Sequence, residues 1–125
     1  MSCLVADEIR CMGRGETARV DIDWGENTAG SETGLLKAGD TVASAVVALH
    51  DSPAGSTTPT LGSVSVNGSA LYVNGRSCSA SEATTFTVTT SSTQTYGEYI
   101  LKVTATTTNS YVFPRYIQIV VRPAV

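Results

Sequence analysis

Charged residues make up 15% of this chain, and it holds one histidine, one tryptophan and no run of basic side chains. The 8 Lys and Arg residues are scattered singly against 11 Asp and Glu, leaving a net charge of −3. With no cluster to neutralise phosphates or anionic headgroups, neither nucleic acid nor a membrane surface is expected as a partner. No stretch approaches the ~20 apolar residues of a membrane span. Asp7, Glu8 and Arg10 stand where the apolar centre of a signal peptide would run, so synthesis in the cytoplasm is expected. The three cysteines, Cys3, Cys11 and Cys78, are odd in number and lack metal-ligand spacing. They read as small apolar fillers in a protein made in a reducing compartment.

Signs of catalysis are equally scarce. There is no nucleophile elbow, phosphate-binding glycine loop, HExxH or CxxC. His50, Asp51 and Ser52 are neighbours in sequence, but neighbours on an extended chain point to opposite sides. A non-enzymatic protein with no cofactor and no metal is expected.

What the sequence does have is Ser, Thr and Val in short alternating runs, which suit a pleated surface. From Ala18 to Trp24, Val20, Ile22 and Trp24 point one way and Asp21 and Asp23 the other. A Val- and Ala-rich strand is expected from Thr41 to Leu49, then a Pro/Gly loop from His50 to Thr60. Asn67-Gly68 and Asn74-Gly75 both read as type I′ hairpin turns, predicting a meander of strands Gly62 to Val66, Ser69 to Val73 and Arg76 to Ala80. Further strands are expected from Thr84 to Thr90, through Tyr99, Leu101, Val103 and Ala105, and from Tyr116 to Arg122. Pro114 would mark a bulge or a strand start. The sum is an all-β chain: a single Ig-like β-sandwich of seven to eight short antiparallel strands spanning residues 17 to 125. Residues 1 to 16 are read as an N-terminal arm or an edge strand.

Three clusters are candidates for binding. Asp21 and Asp23, with Glu26 and Asp40 near, could ligate calcium or simply form a solvated face that discourages edge pairing. Tyr72, Tyr96, Tyr99, Tyr111 and Tyr116 could form a sugar platform, or be sandwich aromatics with their hydroxyls at the rim. Asn67-Gly68-Ser69 matches the glycosylation pattern, read here as a turn.

Several segments carry a resemblance: Val20-Asp21-Ile22-Asp23-Trp24, Leu36, Gly39-Asp40-Thr41-Val42-Ala43-Ser44, Tyr99-Ile100-Leu101-Lys102-Val103-Thr104, and Arg115 to Arg122. Over Arg19 to Arg122 the chain resembles a family of small Ig-like structural proteins of tailed bacteriophages, encoded among head and tail genes. It departs from that pattern in longer loops at Gly25 to Ala38 and His50 to Thr60, and at its N-terminus. The resemblance implies a non-enzymatic virion protein, foremost a capsid decoration (cement) subunit bound to the major capsid protein or other virion proteins, with homo-oligomers possible. The alternative is a head–tail or tail-surface module that grips a host glycan or receptor through loops Gly25 to Asp40, His50 to Thr60 and Thr107 to Ser110. On the decoration reading, Leu4, Val5 and Ile9 would anchor an arm, and Leu35 and Leu36 would present an apolar loop; packing within the domain is the competing reading for all five.

Overall fold

The computed structural model describes residues 8–25, 36, 39–73 and 75–123. Ten strands run in chain order: β1 Glu8–Met12, β2 Thr17–Asp23, β3 Val42–Asp51, β4 Thr60–Leu61, β5 Ser65–Val66, β6 Leu71–Val73, β7 Arg76–Cys78, β8 Ala83–Thr89, β9 Gly97–Thr107 and β10 Val112–Val121. No helix occurs among the described residues. One sheet has the order β1-β10-β9-β3, and the second has β2-β8-β4, with β5 also on β8. The chain is an all-β sandwich, with a β6–β7 hairpin as a small third sheet.

Alternation explains which faces meet. Along β9, Tyr99, Leu101, Val103, Ala105 and Thr107 are buried, while the residues between them are more exposed. Ile117, Ile119 and Val121 do the same on β10, and Val20 and Ile22 on β2. These inner faces close over one core with Trp24, Phe86 and Val88. The Trp24 indole N–H donates to Thr84 Oγ1 at 2.8 Å, so the one polar atom of this buried ring is satisfied.

The N-terminal segment resolves in part. Glu8–Met12 forms an edge strand, parallel to β10 from Glu8↔Ile117 to Met12↔Val121. Met12 is buried in the core. Next to it, Pro114 lies inside β10, not at its start, paired with Thr104. β1 covers β10 only from Ile117 onward, so the missing N–H of Pro114 falls on a stretch with one neighbour.

The expected meander is only half right. β6 and β7 pair as a hairpin with Val73 opposite Arg76, and Gly75 between them takes φ 86°, a conformation that favours glycine. Asn67-Gly68 is not a hairpin turn: β5 pairs with β8 instead of β6. Gly68 does not take positive φ. Asn67 serves as a junction. Its Nδ2 donates to the carbonyls of Ser69 and Ser79 at 2.9 and 2.8 Å. Its Oδ1 accepts from the amides of Glu82 and Ala83 at 3.1 and 3.0 Å. Four bonds from one side chain tie the hairpin to the start of β8, and they outcompete the turn that Asn-Gly favours locally. They also leave the amide no room for a glycan.

The expected strand from Gly62 to Val66 is split by a bulge. Leu61 pairs with Val88 and Ser65 with Thr85, so β4 and β5 hold one residue more between them than the facing stretch of β8. Gly62 sits at the bulge, and a Cβ there would lie 2.5 Å from Thr87 Oγ1.

Candidate functional site

The two outer faces of the sandwich differ in chemistry. On the β2/β8 sheet the outward residues are Thr17, Arg19, Asp21, Thr85, Thr87 and Thr89. Arg19 Nε reaches Asp21 Oδ1 at 2.9 Å, and Thr85 Oγ1 donates to the same oxygen at 2.7 Å. That face is polar and internally paired.

The opposite face mixes polar residues with a larger share of apolar ones. The strand register places Ile9 beside Gln118, Val46 beside Thr104, and Val112 beside Thr106, all on the outside of the β1-β10-β9-β3 sheet. Ile9, Val46 and Val112 are 61%, 65% and 59% exposed. Ile100, Pro114 and Val120 share the face, and its charges are Glu98, Lys102 and Asp51. His50 packs edge-on against Tyr116 at 5.1 Å between ring centroids. Singly exposed apolar residues need no explanation, but several spread over one sheet face form a candidate contact surface.

The sequence candidates fall in different places. Ile9 lies on this outer face, carried by an edge strand and not by a detached arm. Leu36 is a correction to the partner-contact reading: its side chain is 5% exposed and belongs to the core with Trp24, so it packs within the domain. Its amide donates to the Trp24 carbonyl at 3.2 Å, which holds it there. Leu4, Val5 and Leu35 lie outside the described residues.

The carboxylates do not converge. Besides the commitments of Asp21, Asp23 Oδ1 accepts from the Gly25 amide at 2.9 Å, and Asp23 is buried instead of solvated. Asp40 Oδ1 accepts from the Thr41 and Asn109 amides at 2.9 and 3.2 Å. Glu26 lies outside the described residues, among which no group of three or more His, Cys, Asp or Glu is placed to hold a metal. Asp51 Oδ1 accepts from the Ser52 amide at 2.9 Å, a local turn. Cys78 is a buried filler as expected, whereas Cys11 is exposed on the more apolar face.

The loops are also divided between the two ends. Asp40 meets Asn109 at the end where β9 finishes. Loop 52–59 lies at the other end, where Gln94 Nε2 donates to the Thr57 carbonyl at 2.6 Å. The eleven residues of β9 separate the ends by about 33 Å. The same distance parts Tyr96 from Tyr111, so the tyrosines build no common platform. Tyr96 is instead covered by the Arg14 guanidinium at 3.8 Å.

Sequence reasoning missed a polar cluster at this end of the sandwich. Tyr99, two residues into β9, donates its hydroxyl to the Thr95 carbonyl at 2.6 Å, the geometry of a tyrosine corner. Gln94, 1% exposed, donates Nε2 to that hydroxyl at 3.1 Å as well as to Thr57. Its Oε1 accepts from the Ser91 amide at 3.2 Å, and its carbonyl accepts Arg14 Nε at 2.7 Å. Three loops are thereby tied at one end. Gly97-Glu98-Tyr99-Ile100-Leu101 was the available signal: a tyrosine at a strand start, two residues before a core position.

No protein-family model matches the chain, and no curated protein matches it.

Proposed function

We propose that this chain is a non-enzymatic interaction module of Ig-like type, serving as a bacteriophage virion structural protein and most specifically as a capsid decoration subunit. The observation that carries the reading is the asymmetry of the two outer faces, one polar and self-paired, the other richer in apolar side chains and exposing Ile9, Val46 and Val112. Such a surface suits contact with another protein, because its desolvation costs little and its area is already held rigid by the sheet.

Two features support the Ig-like type. The strand order β2-β8-β4 against β10-β9-β3 matches the B-E-D and G-F-C arrangement of immunoglobulin sandwiches, and Tyr99 stands at their tyrosine corner. The capsid assignment rests on the sequence resemblance, with the more apolar face as the surface that would meet the major capsid protein. Receptor recognition by clustered loops is less well supported, since loop 52–59 lies at the opposite end from 107–111.

The test is mass spectrometry of purified particles, followed by rebinding of the purified chain to particles stripped of it. The protein is expected in intact virions at stoichiometric abundance. Its absence from them would end the virion reading.

A further inference from the structure

The exposed edges of this sandwich are not equally defended. Edge strand β1 carries Glu8 and Arg10, and β2 carries Arg19, Asp21 and Asp23. β4 and β5 are two residues each. β3 is ten residues long, with no charged side chain before Asp51 and no proline. Among the described residues β9 is its one ladder partner. Strand β5 of the second sheet comes close to β3, but between Ala45, Val46 and Val47 on one side and Leu61, Gly62 and Val64 on the other the two are parted by an open groove of about 290 Å³. Natural sheets blunt such edges with charge, proline or brevity, and β3 has none of the three along its regular stretch.

We propose that β3 pairs antiparallel with β3 of a second copy, about a two-fold axis at Val46, joining the two four-stranded sheets into one. The register follows from the faces. Residues that point outward in one copy must meet outward residues of the other, which restricts the pairing to even steps. Centring on Val46 sets Val46 beside Val46, Ser44 opposite Ala48, and Ala45 opposite Val47. Large side chains meet small ones on the core side, and the most exposed valine is covered on the outer side. Register shifts between Val42 and Ser44, and between Leu49 and Asp51, confine the regular ladder to the stretch these pairs use. Within it neither copy carries a charge, and Asp51 falls beyond it, so no like charges are forced together. This edge is self-complementary, as a two-fold contact requires. The proposal rests on the edge alone and is independent of the virion reading.

Analytical ultracentrifugation of the full chain across micromolar concentrations tests it. The wild type should sediment at twice the chain mass, and Val46→Lys, a change at an exposed position, should return it to a monomer with its β-sheet circular dichroism retained. In a Cys11→Ser background, Val46→Cys should give a disulfide-linked dimer under mild oxidation, because directly opposed Cβ atoms lie about 5 Å apart. Val112→Cys, on the same face but away from the edge, should not. A wild type that stays monomeric, a dimer that Val46→Lys leaves intact, or equal cross-linking at positions 46 and 112 would each overturn the proposal.

Discussion

Gln94, which is buried, and Asn67, which is half-buried, show what an amide side chain can accomplish in a chain with few charges. Each is a neutral side chain that fills both its donor and acceptor roles against backbone groups, joining a near neighbour to a segment distant in sequence. Removing such a residue leaves its partners short of a bond, and a group screened from water costs about 1–3 kcal/mol when orphaned. Gln94→Ala orphans the Thr57 carbonyl and one contact of the Tyr99 hydroxyl, so it should lower stability by about 2–4 kcal/mol in urea unfolding. Tyr99→Phe takes away the bond donated to Thr95 and the one accepted from Gln94, but it leaves the ring in place and Gln94 keeps Thr57, so the loss should be smaller, about 1–2 kcal/mol. The reverse ranking would mean that Tyr99, and not Gln94, organises that end. Neither role was legible beforehand. A glutamine among Ser and Thr reads as surface, and only the fold brings Thr57 and Arg14 to it.

Strands were far more legible, for a physical reason. Period-two alternation is set by the pleat itself, so β2, β8 and β9, whose residues divide cleanly between core and solvent, could be read within a residue or two. The pairing around Asn67-Gly68 could not, because a long-range hydrogen-bonded junction overrode the local turn preference. The bulge at Gly62 was hidden for a similar reason: it depends on how close β8 comes. Gly62→Ala should therefore destabilise by about 1–3 kcal/mol through overpacking against Thr87. Thr87→Ala, at an exposed position, should recover much of that loss, and a double-mutant cycle by thermal unfolding reads the coupling. The edge strand β1 makes another prediction. Truncation through Met12 removes a buried side chain and uncovers the Ile117–Val121 edge, so it should cost about 3 kcal/mol or more and promote aggregation.

For the whole molecule, the consequential property is that one sheet face is richer in apolar side chains than the other, a difference that no single strand carries. Each strand reads as an ordinary alternation. The asymmetry emerges when the register lines up Ile9, Val46 and Val112 on one plane while Arg19, Asp21 and Thr85 pair on the other. If the more apolar face is what meets the major capsid protein, a single lysine there should act very differently from one on the polar face. Val112→Lys puts a charge on a 59% exposed position, so folding is little affected, but docking would bury that charge without a partner. An unpaired charge at a buried interface costs several kcal/mol, so occupancy on stripped particles should fall by about a hundredfold or more. Thr87→Lys adds the same charge to the opposite face and should leave occupancy unchanged, which separates a local contact from a general electrostatic effect. Equal losses from both substitutions would point to long-range charge instead of the face. No loss from Val112→Lys would remove that part of the surface from the contact.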